Sequence, residues 1–535
     1  MAQRLVTAEE MRRIDAQATR EFSIPSIVLM ENAARSACEV IEEYFADPEC
    51  ACSGIKDLGV LIVCGKGNNG GDGLAIARLL ANREAEVTVL LLGKAVDLKG
   101  DPRTNHRILR HADVEIHEVV GERQLTRFFA GHSEPDVIVD AIFGTGFKSK
   151  PAGIYASAIE FINRSDAFVL AIDIPSGVSA DDGKVEGCAV YADATVTMAL
   201  LKRGLALYPA KDYCGDVWIG DIGIPQSAVR TPQSAATLLL DCEDVAQIMP
   251  FRPTAGHKGT FGTALLVAGS RGFTGAAKLA SLAALRIGCG LSKLCVPISV
   301  LSSVEAGLVE VVKVGAYDTP EGALSLAAFP QIAGLLKDAH VLAIGPGIGT
   351  LPETRELEMK LLKASRVPLV IDADGVSNLA GSTRFLKSLK VPKVLTPHPG
   401  ELSRLLNISP ADINRDRIEI CRRTAKEFDA VLVLKGAPTV VGSPDGRAVV
   451  NSTGNSGLAS GGTGDVLTGM IAGLIAQGVP AFEAAQAAVF LHGRAADIAA
   501  DDKTEYCLIA GDLLDYLPKA IKSLTCECEG ELQAQ

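Results

Sequence analysis

Short apolar runs recur along the chain, each closed by a turn rich in Gly, Asn or Asp and followed by a helical stretch. In the first half, apolar residues 60–64 run into GKGNNGGDG at 65–73 and then a helix over 74–80. Residues 87–92 end at Gly93-Lys94. Residues 137–143 carry Asp140 and end in GTGFK at 144–148, and 168–172 end in DIPSG at 173–177. The rhythm restarts at 264–268, with GSRGFTG at 269–275 opening an Ala-rich helix over 276–287. Three more strands follow: 341–344 into GPGIG at 345–349, 369–371 into DADG at 372–375, and 394–396 into PHPGE at 397–401. A fourth, 431–434, ends in Lys435-Gly436. Apolar strand, turn and helix in alternation predict an α/β protein with parallel, doubly wound sheets.

The ends of this pattern set the domains. Thr7 and Glu10 form a capping-box signature, with Met11, Ile14 and Ala18 at helical spacing behind it. A second helix is expected over 26–41, holding Asn32 as a satisfied structural polar residue. An apolar stretch at 217–224 closes the first half. Pro225, Pro232, Pro250 and Pro253 then surround a short apolar strand at 237–240. We read residues 1–224 as one domain, 225–253 as a linker, 254–524 as a second domain and 525–535 as a disordered tail.

Polar residues at the carboxyl ends of parallel strands face the ligand crevice of such folds. Asp140, Asp173 and Ser176 are candidates on that ground, as are Asn68, Asn69 and Asp72, three oxygen-bearing side chains in one turn. Gly65, Gly67 and Gly70 satisfy G-x-G-x-x-G. The following strand, however, ends in Gly93-Lys94 without an acidic residue for a ribose, which argues against an ordinary NAD dehydrogenase. The second half is organised around GGTGD at 461–465, which opens onto a Gly- and Ala-spaced apolar helix over 466–476. Its glycines turn N–H groups toward one point, where the positive end of the helix dipole adds to them, as a phosphate cradle requires. Asp465 at its rim reads either as a helix cap or as a general base toward a hydroxyl attacking a phosphoryl group.

Composition narrows the classes. The 535 residues fit about two to four domains, and a net charge of -12 without a Lys/Arg-rich run excludes nucleic acid and anionic membranes as expected partners. The N-terminus has no apolar signal core, and the longest apolar run, 466–476, is too short to span a bilayer. The 13 cysteines include no C-x-x-C pair, only C-x-C at Cys50/Cys52 and Cys526/Cys528. Free thiols in a reducing cytoplasm are the expectation.

The motifs taken together resemble a known family. GHKGTFG at 256–262, GPGIG, DADG, TPHPGE at 396–401, KGAPTVV at 435–441 and GGTGD resemble the NAD(P)H-hydrate dehydratases of the ribokinase-like superfamily. GKGNNGGDG, VDAIFGTG at 139–146 and IDIPSG at 172–177 resemble NAD(P)H-hydrate epimerases with a Rossmann-like sheet. In this order they resemble the fused epimerase–dehydratases. The resemblance implies that the second half uses ADP to phosphorylate the hydroxyl of the S hydrate, with Asp465 as base. Lys435, Gly436, Ala437, Pro438, Thr439 and Gly464 would hold the nucleotide. Ala276, Gly347, His398 and Asp465 would line the hydrate pocket, with Mg²⁺ assisting through ligands not assigned. In the first half, Asn68, Asn69, Gly70, Gly71 and Asp72, together with Gly144, Thr145, Gly146, Phe147, Lys148, Ser149 and Lys150, would form the substrate loops. Asp173 would hold the substrate. Asn69, Asp140 and Ser176 would bind K⁺, and Asp173 and Lys148 are the groups available for inverting the hydrated carbon. His257, His340 and His492 are read as structural, and a cytoplasmic homo-oligomer is expected. The rival reading is a small-metabolite kinase fused to a non-catalytic Rossmann-like binding domain.

Overall fold

The computed structural model describes residues 3–46, 54–112, 114–147, 149–229 and 236–533, with side chains to residue 524. Lys148, Cys50 and Cys52 lie outside the described residues, as do the side chains of Cys526 and Cys528. The chain divides into two compact units, Arg4–Thr231 and Met1–Gln3 with Pro232–Gln535. The seam therefore falls inside the expected linker. The strand and helix after it, Thr237–Leu240 and Cys242–Ile248, belong to the second unit, where the strand pairs in parallel with Ala448–Asn451.

Among the described residues, the first unit's main sheet has seven strands: β1 Gly59–Cys64, β2 Glu86–Leu92, β3 Glu115–Val119, β4 Val137–Ala141, β5 Phe168–Ile172, β6 Ala194–Met198 and β7 Asp216–Gly220. Their order is β3-β2-β1-β4-β5-β6-β7, all parallel. Strand order reverses between β1 and β4, the switch point at which doubly wound sheets bind ligands. Alternation along β1 explains the two covered faces. Val60, Ile62 and Cys64 join one hydrophobic cluster, while Leu61 and Val63 join the other. A short parallel pair of Gln3–Val6 with Leu201–Lys202 stands outside this sheet.

In the second unit the described residues form ten strands of one sheet. Its strands are β8 Thr237–Leu240, β9 Thr263–Val267, β10 Leu291–Pro297, β11 Val312–Ala316, β12 Val341–Ile344, β13 Leu369–Ile371, β14 Lys393–Leu395, β15 Val431–Leu434, β16 Val440–Gly442 and β17 Ala448–Asn451. They run in the order β11-β10-β9-β12-β13-β14-β15-β16-β17-β8, and only β16 is antiparallel to its neighbours. The helix Thr463–Ala476 is buried at every position from Val466 to Ala476. It packs on the helix Thr274–Arg286 so closely that a side-chain carbon at Gly469 would lie 2.0 Å from the Ala280 carbonyl oxygen. The Gly/Ala spacing is thus a packing surface that fixes both helix starts.

Two expectations shift. The helix expected over 74–80 begins at Asn68, so NNGGDG forms its first turns. Glycine disfavours helix, but tertiary packing overrides propensity here: a side-chain carbon at Gly70 would sit 1.9 Å from the Gly65 carbonyl oxygen. The last helix runs Ala510–Gln533, so the backbone of 525–533 is helical, in place of the expected disordered tail.

Candidate active sites

In the first unit, the turns after β1, β4, β5 and β6 enclose a cavity of about 790 Å³ lined by Asn68, Asn69, Asp72, Gly144, Thr145, Gly146, Phe147 and Asp173. That volume suits a nucleotide-sized ligand. The helix Asn68–Ala81 starts without a side-chain cap, so its free N–H groups and dipole face this space. Gly70 and Gly71 pack beneath it against Gly65, Pro102 and Met30. Ser149 and Lys150 are exposed and outside the lining, and Lys150 lies over Gly187. Lys148 falls outside the described residues.

Of the three residues expected to bind K⁺, Asp140 and Ser176 are bonded to each other, and Asn69 lies beside Gly144, next after the Phe143 whose N–H donates to Ser176. Asp140 is fully buried and accepts from the Ser176 hydroxyl at 2.6 Å and the Ser176 N–H at 2.7 Å. Burial pushes its pKa up to about 6 against these bonds, and no cationic side chain is among the causes. Both polar atoms of the Asn69 amide are buried without a partner among the described residues. A side-chain carbon at Gly144 would lie 3.3 Å from the Asn69 amide carbon and 3.1 Å from Asp173 Oδ2, which brings the two loops together.

Two functional candidates escaped the sequence reading. Lys202, almost completely buried, places its Nζ 2.7 Å from Asp173 Oδ1 and donates to the Met198 carbonyl. Asp173 itself holds a left-handed φ of 70° and accepts from the Thr145 N–H at 3.2 Å. Asp15 lines the same cavity; burial raises its pKa to about 6, with Lys202 opposing and Asp173 adding to the shift. Burial and the charges of Asp173 and Asp15 raise Asp72 well above the usual carboxylate range. The overlooked signals were a lysine inside the apolar run MALLKRGLAL and an acid beside the apolar stripe of the first helix.

In the second unit, the motifs after β9, β12, β13, β14 and β15 stand at the carboxyl ends of five neighbouring parallel strands. Asp372, next after β13, is their hub. It accepts from Thr396 at 2.6 Å, Lys435 Nζ at 2.8 Å and Thr468 at 2.7 Å. Burial alone would raise its pKa, but these partners outweigh burial and hold it below the ordinary value. Lys435 lies 3.9 Å from Glu401 and 3.3 Å from where a side-chain carbon of Gly464 would stand. This joins the turn after β15 to the helix start. Burial works against its ammonium, yet Asp372 and Glu401 keep its pKa raised.

Asp465 sits in the first turn of Thr463–Ala476, behind Gly462 at a left-handed φ of 96°. Burial first, then the Asp372 and Asp374 charges, raise its pKa to about 7, with Lys435 opposing. That is where a general base is most effective at neutral pH. Gly347 faces Ala276, whose methyl carbon would be 3.3 Å from a side-chain carbon there, and its carbonyl accepts from Ser270. His398 caps the helix Pro399–Leu406 through Nδ1 and places Nε2 3.4 Å from Glu401. A cis peptide joins Ala437 to Pro438 in the turn that Thr439 closes by donating to the Gly436 carbonyl. Arg417, also unanticipated, braces that turn through the Leu434 and Lys435 carbonyls.

GHKGTFG does not join this site. It precedes β9, and Gly262 abuts the Ala476 carbonyl at the far end of the site helix. His257 Nδ1 accepts from two nearby N–H groups there, and His340 Nδ1 from Thr263. His492 is buried, bonded at 2.9 Å to the Thr463 carbonyl, and burial pushes its pKa down to about 4, so it supports the turn as a neutral ring.

Comparison with known proteins follows the same division. A family model described as NAD(P)H-hydrate dehydratase matches residues 264–519, and one described as YjeF-related protein N-terminus matches 26–204. A bifunctional NAD(P)H-hydrate repair enzyme of Moorella thermoacetica is 45% identical over 98% of each chain. The Escherichia coli enzyme of that description is 32% identical, covering 96% of this chain and 93% of its own. Among solved structures, an ADP/ATP-dependent NAD(P)H-hydrate dehydratase of Bacillus subtilis, co-crystallized with ATP/Mg²⁺, is 32% identical. It covers 54% of this chain and 98% of its own, with a TM-score of 0.47. With both halves matched in order and relatives alike along nearly their whole length, the chain belongs to the family of bifunctional NAD(P)H-hydrate repair enzymes.

Proposed function

We propose that the chain returns both epimers of hydrated NADH and NADPH to the reduced cofactor, the first unit interconverting R and S forms and the second dehydrating S at the expense of ADP. The observation that carries this reading is Asp465, a base tuned to about 7 at a glycine-lined helix start beside Lys435. Asp465 takes the proton of the hydrate hydroxyl, whose oxygen attacks the β-phosphorus of ADP as the bond to AMP breaks. The N–H groups of the turn through Gly464 receive the charge that spreads over the phosphoryl oxygens. Phosphate then leaves with its bonding pair, a ring proton is lost, and the double bond returns. NAD(P)H, AMP and phosphate are the products. Lys435 and the turn through Gly436, Ala437, Pro438 and Thr439 face the nucleotide, and Ala276, Gly347 and His398 the hydrate. Mg²⁺ would arrive on the nucleotide phosphates, as that ion does.

In the first unit, the Asp173 carboxylate, held by Lys202, accepts the hydroxyl proton as the ring C–N bond opens, and Asp15 supplies a proton to the nitrogen. Reclosure on the other face inverts the carbon. Asn69, Asp140 and Ser176 would hold K⁺: all are hard oxygen donors, the Asn69 amide is orphaned, and Asp140 is a buried acid without a cationic partner. We place the enzyme in the cytoplasm as a homo-oligomer acting on small molecules. Product analysis tests the reading: formation of AMP and reduced cofactor in equal amounts supports it, and a phosphate ester that persists overturns it in favour of a metabolite kinase.

A further inference from the structure

The outer strand of the first unit's sheet carries a donor cluster that the repair chemistry does not use. Glu115 and His117 are two apart on β3 and so share one face of the strand. The Glu115 carboxylate oxygen lies 2.8 Å from His117 Nε2. The helix Glu122–Gly131 then returns along the sheet edge and delivers His132 at its C-cap. One ligand atom from each of the three residues lies within 4.8 Å of the others.

The cluster is ordered before any ligand arrives. The His132 ring stacks on Phe128 at 4.1 Å between centroids, and the His117 ring meets both edge-on at 4.9 Å. His132 Nδ1 stands 2.7 Å from the Phe128 carbonyl oxygen. A carbonyl there accepts the Nδ1 proton, which leaves the Nε2 lone pair bare, the same second contact that orients imidazoles in metal sites. His117 Nε2 is buried and, among the described residues, finds no partner beyond the Glu115 carboxylate. The negative end of the helix dipole adds to the attraction for a cation. Aromatic packing alone explains the rings but not a carboxylate and two ring nitrogens converging on one point.

We propose that Glu115, His117 and His132 form a site for a borderline divalent transition ion, of the class of Zn²⁺, Ni²⁺ or Cu²⁺, which ties the edge strand to the end of the covering helix. Two imidazoles and one carboxylate suit that class and disfavour the hard ions expected at the repair sites.

The test uses untagged full-length protein stripped with a chelator and titrated with Zn²⁺ by calorimetry and with Co²⁺ by absorption. One equivalent should bind, the Co²⁺ spectrum should lack thiolate charge-transfer bands, and saturating Zn²⁺ should raise Tm by about 2 °C or more. His132→Ala and His117→Phe, which keeps a packing ring, should each weaken binding by at least about tenfold. Repair activity with Mg²⁺ and K⁺ present but no added transition ion should be unchanged. Absence of saturable binding, unchanged affinity in both variants, or thiolate bands assigning the ion to cysteines would each overturn the proposal.

Discussion

Replacing Asp465 by Asn should disable the dehydratase and stabilise the fold at once, and both effects follow from one number. The Asp465 pKa stands at about 7, above the 3.8 of an ordinary aspartate. Between those values the unfolded chain releases the proton while the folded chain keeps it, so stability falls as pH rises through the window. The loss is complete above about pH 7, where it amounts to an order of ~4 kcal/mol at ~1.4 kcal/mol per unit. Asparagine has the same shape and no charge, so above pH 7 it escapes most of that cost, less the desolvation of its amide. A gain of about 2 kcal/mol or more is expected, which raises Tm by about 3 °C or more for a unit of this size. The gain should vanish toward pH 4. Turnover should fall by about 10²- to 10⁴-fold, the usual worth of a positioned base. In wild type, kcat at pH 6 should be roughly a tenth of its plateau, since the base must be ionised. Thermal melts at pH 5 and pH 8, with ADP-dependent turnover across that range, measure all of this. Retained turnover would refute the base assignment. A Tm that does not rise at pH 8 would refute the origin of the pKa.

Four further outcomes follow from other contacts. Lys435→Met leaves Asp372 a buried anion with only the Thr396 and Thr468 hydroxyls; denaturant melts should show a loss of about 3–5 kcal/mol, and any residual turnover should need higher pH. Asp15→Asn should slow epimerisation and remove an inflection near pH 6 from its rate profile, with dehydration of pure S hydrate unaffected. Asp140→Ala should abolish any stabilisation of the first unit by K⁺ over Na⁺ in thermal melts, because it removes the buried acid next to Ser176. Gly70→Ala drives a methyl carbon to 1.9 Å from the Gly65 carbonyl oxygen, so epimerisation of R hydrate should be lost while S hydrate is still consumed.

The strand ends were legible because local signals and the fold agree there. A polar residue closing an apolar run, as Asp173 does, stands at the cavity where the parallel sheet opens, whereas the part Asp372 plays among Thr396, Lys435 and Thr468 was not read from DADG. The start of Asn68–Ala81 was hidden because glycine reads as turn, and only the close approach of Gly70 to Gly65 makes helix the better answer. Lys202 and Asp15 were hidden for another reason. Their importance lies in a meeting across the fold with Asp173, and nothing in either residue's sequence neighbourhood announces that partner. GHKGTFG shows the converse. A string that carries the family resemblance need not stand at the site, and its Gly262 serves close packing at the far end of the site helix.

The most direct test of the account is recovery of reduced-nicotinamide absorbance from a mixture of R and S hydrates with ADP. Wild type should restore the whole mixture. Asp173→Ala should restore only the S share and stop until the remaining R form interconverts without help. Asp465→Asn should restore almost nothing. Full recovery by Asp173→Ala faster than spontaneous epimerisation, or recovery by Asp465→Asn at the wild-type rate, would contradict the assignment of one reaction to each unit.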